Sequence, residues 1–377
     1  MILNKAYSIA LSWLIIFITS CNSIAKKNIK NRNSMHWGIT KISSETGADS
    51  FDYEFNQYFI QDSLTGYIIG DNSIAEMYRS IIEKRVLKRE NYEAILFKTE
   101  DGGVSFRKRS LGKGSLQKIT SDNEKNLYVI QYNYKTATLP KRYRIMYSRD
   151  LGETWQEMAF PQGKKIETVQ FYNGLKGVVA IEEDGMFKLL KTKDGGKTWE
   201  ELPVKETSLN YYSIQFINEE ALYVYNSIGG FRQTATVNFT TGNVKIHNPN
   251  LPKGYQFSSF IKDDSTGSLY SEVSNYKEDH DLMLYNHQTN ELISYNIENS
   301  SEQYIIDVTV SGEYIGLLRA DKGIVSYYYS RDKGENWIRE KMPERLSESY
   351  AAMYGKGLVW VKSAFNLYNL QVRTMDN

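Results

Sequence analysis

The stretch Ser148-Arg149-Asp150-Leu151-Gly152-Glu153-Thr154-Trp155 lies between two apolar, strand-like runs. Its Asp can accept hydrogen bonds from the N–H groups of a turn, and its Gly can supply a positive φ. The chain contains three further copies of the shared pattern S/T-x-D-x-G-x-T/S/N-W/F, at Thr99–Phe106, Thr192–Trp199 and Ser330–Trp337. We predict that these four segments, called box turns below, each connect two strands of a hairpin.

The spacing of the box turns indicates a repeat of about 46 residues. Successive box aspartates are separated by 49, 44 and 138 residues, and the last interval is three times 46. Two degenerate turns, Thr240–Asn243 and His287–Asn290, lie at the expected places in that interval. A period of this length with four short strands per unit is typical of a β-propeller.

A second count comes from apolar runs, which we assign to the innermost strand of each blade. There are seven: Gly66–Gly70, Leu127–Ile130, Gly177–Ile181, Leu222–Tyr225, Gly267–Tyr270, Tyr314–Leu318 and Gly357–Val361. Seven runs with six turns leave the last blade, which ends with Asn366–Leu370, without an outer strand. Trp37–Ile42 precedes the first blade and can supply that strand, which would close the ring and cover an exposed edge. The sequence therefore predicts an all-β, seven-bladed β-propeller with four-stranded blades over residues 35–377, closed by an N-terminal strand.

Composition agrees with this fold class and excludes one class of partner. The chain has 377 residues, of which 41% are hydrophobic, and it contains 29 Tyr and 15 Phe but only 6 Pro. Aromatic residues favour strands, and repeat folds of this length form one closed unit. The formal net charge is +1, so nothing favours a polyanion, and we predict no nucleic-acid partner.

The N-terminal residues have the features of an export signal. An apolar run from Ile9 to Ser20 follows Lys5 and ends at Cys21, the one cysteine in the chain. Residues 1–20 are therefore predicted to be a signal peptide, since the run is short for a membrane span. Ile18-Thr19-Ser20-Cys21 resembles the bacterial lipobox, so Cys21 is the predicted lipid-attachment residue of a palmitoylated, membrane-anchored lipoprotein. A secretory signal with a chance cysteine is the alternative.

Residues 21–34 are polar and basic and are predicted to be a flexible tether, or alternatively a segment that lies against anionic headgroups. Asn22 is not the Asp that follows the cysteine in inner-membrane lipoproteins of enteric bacteria, which favours the outer membrane, facing the periplasm or the outside. Residues 74–93 depart from the repeat. Ile74, Met77, Tyr78, Ile81 and Ile82 have helical spacing, which predicts an amphipathic helix, either packed on the rim of the ring or serving as a lid or docking element.

The box turns resemble the Asp-box, or BNR, repeat of sialidases, sortilin-type receptors, some glucanases and the photosystem assembly factors of the thylakoid lumen. The resemblance extends from about residue 35 to the C-terminus, and the first blade looks most like the assembly-factor branch. It implies that the boxes brace the outer hairpin of each blade and have no catalytic role. The residues to which it assigns this structural role are Asp101, Asp150, Gly152, Trp155, Asp194, Gly196, Trp199, Asp332, Gly334 and Trp337.

The resemblance to sialidases fails at the residues that carry out the chemistry. That family implies an arginine triad, a tyrosine nucleophile with a glutamate, an aspartate acid and a Phe-Arg-Ile-Pro motif. The nearest segment, Tyr143–Met146, lacks the Phe and the Pro. Arg142, Arg144, Arg232 and Arg319 come from different blades and would have to converge to form a triad. Catalytic residues therefore remain unknown.

Other candidate sites carry little signal. Glu278–Asp281 has acidic residues for Ca²⁺ but lacks the ligand spacing of a Ca²⁺ loop, so a hairpin tip is favoured. The four histidines show no zinc-binding spacing, and no metal or cofactor is predicted. Tyr211–Tyr212 and Tyr327–Tyr329 would suit either sugar-binding shelves or packing. We predict a monomeric, non-catalytic binding or assembly module of the cell envelope, with a protein partner on the loop-rich face. The alternative is a glycan-binding or sialidase-like surface protein.

Overall fold

The computed structural model describes most of the chain between residues 29 and 373. The described residues are 29–32, 37–41, 53–134, 142–161, 164–183, 185–204, 209–226, 232–263, 265–275, 282–295, 297, 303–321, 324–342, 349–363 and 369–373. They form a seven-bladed β-propeller of four-stranded antiparallel blades, as the sequence predicts.

The first four blades follow one another along the chain. Blade 1 comprises β3 (Glu54–Ile60), β4 (Gly66–Asp71), β5 (Glu93–Thr99) and β6 (Arg107–Lys113). Blade 2 comprises β7 (Ser115–Ser121), β8 (Leu127–Asn133), β9 (Arg142–Ser148) and β10 (Gln156–Glu157). Blade 3 comprises β11 (Lys165–Phe171), β12 (Gly177–Glu183), β13 (Met186–Thr192) and β14 (Glu200–Glu201). Blade 4 comprises β15 (Leu209–Asn218), β16 (Ala221–Asn226), β17 (Gln233–Asn238) and β18 (Val244–His247).

The remaining blades complete the ring with help from the N-terminal residues. Blade 5 comprises β19 (Gln256–Lys262), β20 (Leu269–Ser274), β21 (Leu282–Asn286) and β22 (Glu291–Tyr295). Blade 6 comprises β23 (Gln303–Ser311), β24 (Tyr314–Asp321), β25 (Ile324–Ser330) and β26 (Trp337–Lys341), with β1 (Ile29–Arg32) beside β26. Blade 7 comprises β27 (Ser349–Tyr354), β28 (Leu358–Ser363), β29 (Asn369–Arg373) and β2 (Trp37–Lys41). One α-helix, α1 (Ser73–Ile82), and a 3-10 helix (Arg89–Asn91) lie between β4 and β5.

The innermost strand of each blade is its first strand, and our assignment of the seven apolar runs to this position is wrong. The seven first strands contact one another around the ring and line one central channel. The apolar runs form the second strands instead. In blade 1, all six residues of β4 are buried because blades cover both of its faces, whereas β3 alternates in burial beside the channel. An uninterrupted apolar run therefore indicates burial on both faces and not proximity to the axis.

The core consists of apolar layers between neighbouring blades. Each of the seven apolar clusters in the described residues joins two adjacent blades. Blades 7 and 1, for example, meet where Trp360 packs with Ile68 and Phe97. Because each blade needs a partner on both faces, closing the ring is a condition for a complete core.

The predicted closure by an N-terminal strand is confirmed. The strand β2 pairs antiparallel with β29 as the fourth strand of blade 7, with Trp37 opposite Arg373. Trp37 also reaches blade 6, where its Nε1 donates a hydrogen bond to Glu340 Oε2 at 3.0 Å. The closing strand thereby covers the edge that β29 would expose.

The segment predicted as a tether contributes a further edge strand. The strand β1 pairs parallel with β26, and Ile29 lies opposite Trp337. Residues 21–28 and 33–34 of the predicted tether lie outside the described residues, as do the signal peptide and Cys21.

Candidate functional site

The inserted segment between β4 and β5 is the one large departure from the repeat. Its base is closed by hydrogen bonds: Glu93 N donates to Asn72 Oδ1 at 2.7 Å, and Ser73 N donates to Asp71 Oδ1 at 2.8 Å. The helix α1 ends at Glu83, and the following Lys84 has a φ of +51°, which turns the chain out of the helix. The segment is therefore held at both of its ends where β4 and β5 meet, at one end of blade 1.

The side of α1 that packs on the ring is not its apolar side. The residues it buries are Ser73, Ala75, Glu76 and Ser80. Glu76 forms ion pairs with Arg79 at 2.8 Å and with Arg85 at 2.9 Å, so the buried carboxylate has two cationic partners. The buried side thus consists of small residues and a satisfied polar group.

The apolar side of α1 faces solvent and continues past the end of the helix. The side chains that share it are between 38% and 79% exposed, and we call them the apolar face: Met77, Tyr78, Ile81, Ile82, Val86 and Leu87. The sequence analysis identified the first four from their helical spacing but missed Val86 and Leu87, for which the signal was two more apolar residues one turn further on. Six large exposed apolar side chains within eleven residues are unusual for a surface with no partner.

The apolar face is bordered mainly by positive charge. Residues 73–92 contain five basic and three acidic side chains. Glu83 pairs with Arg85 at 2.6 Å, and Lys88 lies 4.0 Å from Glu90. Lys84 is also exposed, at the point where the chain leaves the helix. Exposed contacts of this kind hold their charges loosely, so the border remains electropositive.

The inserted segment is braced against blade 2 by aromatic contacts. The ring of Tyr92 meets that of Tyr134 edge-on at 5.1 Å, and the Arg89 guanidinium lies 5.7 Å from the Tyr134 ring centre. The ring of Tyr134 in turn meets that of Tyr132 edge-on at 4.9 Å. These contacts fix the base of the segment on a rigid wall while its apolar face remains outside.

The central channel is the other candidate site, a cavity with a volume of about 770 Å³. Burial lowers the pKa of Lys118 to about 8. Burial, together with the nearby Glu272 carboxylate, raises the pKa of Asp307 to about 7. At one mouth, Lys262 Nζ of blade 5 donates to Asn123 Oδ1 of blade 2 at 3.3 Å, so a side-chain contact bridges this opening.

The four box turns have one hydrogen-bond pattern. In blade 2, Asp150 accepts from Thr154 N at 2.8 Å, from Thr154 Oγ1 at 2.6 Å and from Ser148 Oγ at 2.7 Å. The hydrogen bonds from Thr154 hold the pKa of Asp150 at about 2. Asp101, Asp194 and Asp332 accept equivalent bonds in their own turns. Identical satisfied carboxylates in four blades match a role in holding the hairpins.

Each box turn also needs backbone that favours glycine. The residue two positions after each box aspartate has a positive φ: Gly103, Gly152, Gly196 and Gly334. In two boxes the final tryptophan closes the turn: Trp155 Nε1 donates to Gly152 O at 3.0 Å, and Trp337 Nε1 donates to Gly334 O at 3.1 Å. All four box turns lie at the opposite end of their blades from the inserted segment, between the third and fourth strands.

The arginines considered for a sialidase-like triad have separate partners. Arg142 and Arg144 lie on one strand, β9, and not on different blades as expected, and both pair with Glu157 at the outer edge of blade 2. Arg232 donates to Leu251 O at 2.9 Å. Arg319 is 2% exposed and donates to Ile297 O at 2.7 Å in blade 6. The structure does not bring these side chains to one site.

The remaining sequence candidates divide between packing and undescribed residues. Tyr327, Tyr328 and Tyr329 are all buried, so in this segment packing and not a sugar-binding shelf accounts for the tyrosines. Glu278–Asp281 and the side chains of Tyr211–Tyr212 lie outside what the structure describes. Within the described residues, no group of three or more His, Cys, Asp or Glu is arranged to hold a metal ion. No α-helix in the same part of the chain has the length and apolarity needed to cross a membrane.

Comparison with known proteins identifies a fold and no sequence family. No family model matches the chain, and no curated protein matches it. The solved structure of YCF48 bound to D1 peptide is similar over 94% of this chain and 100% of its own, at 13% identity and a TM-score of 0.58. The propeller domain of the Trilobed protease from Pyrococcus furiosus, described as having an open velcro topology, covers 86% of this chain and 98% of its own, at 11% identity and a TM-score of 0.52. The crystal structure of TolB from Acinetobacter baumannii is similar over 75% of this chain and 60% of its own, at 11% identity and a TM-score of 0.45.

Proposed function

We propose that this protein is an exported, lipid-anchored propeller that binds a protein partner in the bacterial cell envelope and catalyses no reaction. The observation that carries the proposal is the apolar face of the inserted segment, whose six side chains are between 38% and 79% exposed. Exposed apolar surfaces of this kind in soluble proteins mark sites of interaction. A rigid ring that presents one irregular segment suits binding better than chemistry.

The similarity in fold to YCF48, which was solved bound to a peptide, supports a polypeptide as the class of ligand. Cys21 at the end of the predicted signal peptide supports attachment to a membrane, and Asn22 after it favours the outer membrane. The box turns support the interpretation of the repeat as a structural Asp-box, since the box aspartates accept hydrogen bonds from residues of their own turns.

The experiment that tests this function is a pull-down of the intact lipoprotein from chemically crosslinked envelopes, together with binding of the purified protein to sialosides and glycan arrays. We expect a specific protein partner and no glycan signal. Glycan binding without a protein partner would contradict the proposal.

The glycan-cleaving alternative would rely on the carboxyl groups of Asp307 and Glu272, which are close enough for one to raise the pKa of the other. Glu272 Oε2 already accepts a hydrogen bond from Ser258 Oγ at 2.7 Å. Hydrolysis of a sialoside that is lost in Asp307→Asn would establish that alternative in place of binding.

A further inference from the structure

We propose that the apolar face docks into an apolar groove of a protein partner whose rim carries carboxylates, on the side of the propeller turned away from the membrane. This inference rests on the proposed function and deepens it by specifying the surface, the chemistry of the partner and the orientation. It concerns Met77, Tyr78, Ile81, Ile82, Val86 and Leu87 with the basic residues around them.

The geometry of the helix indicates a groove. Met77, Tyr78, Ile81 and Ile82 recur at the spacing with which a short helix inserts one side into a hydrophobic groove. The opposite side is buried at Ser73, Ala75 and Ser80, and Ser73 Oγ donates to Glu54 Oε2 of blade 1 at 2.9 Å. A helix held in this way presents its apolar side in a fixed orientation, so little conformational entropy is lost on binding.

The charge of the segment indicates a carboxylate rim. Five basic against three acidic residues give residues 73–92 a net charge of +2. Glu76 is enclosed by Arg79 and Arg85 and has a side chain only 6% exposed, so its charge is less available to a partner than those of the exposed Lys84 and Lys88. A complementary surface is therefore apolar at its centre and acidic at its edge.

The path of the chain argues for a protein and against the membrane as the occupant. Because β1 runs parallel to β26, Ile29 lies beside Trp337, at the end of blade 6 where the box turn is. Ile29, the described residue nearest to Cys21 in the sequence, therefore lies on the box-turn side, whereas α1 lies on the other side. Eight extended residues reach at most about 28 Å. A seven-residue strand is about 23 Å long, so the fully extended tether is only about 5 Å longer than a blade, and an anchor at Cys21 favours the box-turn side, and not α1, as the side nearest the bilayer.

The test is site-specific photocrosslinking in living cells with the full-length lipoprotein. A photoreactive phenylalanine analogue replaces Ile81, and a matched control carries it at Leu175, an exposed apolar residue on the box-turn side. We expect a discrete protein adduct from position 81 and none of the same mass from position 175. Mass spectrometry of the crosslinked peptide should place the adduct in an apolar segment flanked by Asp or Glu.

Charge reversal supplies the second measurement. Lys84→Glu with Lys88→Glu should lower the adduct yield about threefold or more, the range expected for exposed ion pairs. Lys193→Glu with Lys197→Glu, in a box turn, should leave the yield unchanged. A lipid adduct, an adduct to this chain itself or no adduct at position 81 would overturn the inference. If the envelope pull-down still recovers a partner in that case, the proposed function survives and only the docking surface is wrong.

Discussion

Replacing Arg373 with methionine should destabilise the propeller strongly, because this residue joins β29, the third strand of blade 7, to blade 6. Its guanidinium donates to Glu340 through Nε at 2.8 Å and Nη2 at 3.0 Å, and to Gly357 O at 2.8 Å. The side chains of Arg373 and Glu340 are 0% and 2% exposed. Tyr327 and Tyr329 each lie 5.0 Å from the guanidinium.

The magnitude follows from leaving a buried carboxylate without its main partner. In Arg373→Met, the hydrogen bond from Trp37 Nε1 on the closing strand is the one side-chain contact that Glu340 keeps with the described residues. Breaking a buried ion pair by removing one partner costs about 3–5 kcal/mol, so we expect a loss of that size in the free energy of unfolding. Replacing both members with apolar residues removes the unpaired charge, and Arg373→Met with Glu340→Leu should be more stable than the single Arg373→Met variant.

The assay is urea unfolding of the purified protein from residue 22 onward, followed by tryptophan fluorescence. Wild type, both single variants and the double variant form a double-mutant cycle. We expect a coupling energy of about 1–3 kcal/mol, the range for contacting residues. A single variant within about 0.5 kcal/mol of wild type, or a double variant that equals the sum of the singles, would refute this view of ring closure.

Other predictions test separate parts of the structure. Trp337→Ala, at a side chain that is 0% exposed, should lower the free energy of unfolding in urea by about 3–5 kcal/mol. Asp150 has a pKa depressed to about 2, so the stability it provides is complete above its unfolded pKa of about 3.9 and is lost as pH falls towards 2. In Asp150→Asn, the urea concentration at the unfolding midpoint should therefore vary less between about pH 3.9 and about pH 2 than it does in wild type. Burial lowers the pKa of His287 to about 3, so stability should fall from about pH 6.5 to pH 3 by at most about 1.4 kcal/mol per pH unit, and His287→Phe should remove this slope. Ile81→Glu with Ile82→Glu should change stability in urea by less than about 0.5 kcal/mol each, because these side chains are 65% and 78% exposed.

The blade count and the closure were predictable because they follow from local requirements that every blade repeats. Each box turn needs an aspartate and a residue with a positive φ, so every copy has an Asp and a Gly at the positions that Asp150 and Gly152 occupy in blade 2. The missing outer strand of blade 7 and the spare strand at Trp37 were visible by counting. Periodicity of this kind survives in a single sequence because each copy solves the same folding problem.

The order of strands within a blade was not predictable from hydrophobicity alone. Gly66–Gly70 is fully buried because neighbouring blades cover both of its faces, and not because it is central. The useful signal was the mixed pattern of β3, where Gln57 and Gln61 line the channel. A strand that alternates in burial beside the channel gives a weaker hydrophobic signal than a strand buried on both faces, and it is easily mistaken for an outer strand.

The orientation of the inserted helix was also beyond the sequence. Helical spacing at Met77, Tyr78 and Ile81 identifies a common side but does not say whether that side packs on the ring. Arg79 and Arg85, both within the inserted segment, pair with the buried Glu76, and the apolar side of the helix remains exposed. The pairing of Arg373 with Glu340 is likewise invisible, since nothing local marks a charge pair formed between two blades.

The measurement that bears most directly on the proposed function is partner recovery by the full-length protein carrying Ile81→Glu and Ile82→Glu, compared with wild type in crosslinked envelopes. Both proteins should be present in equal amounts and melt at the same temperature, because these side chains have little contact with the ring. We predict that the wild type recovers a specific protein and that the variant loses it. Equal recovery by the two proteins would contradict binding through the apolar face.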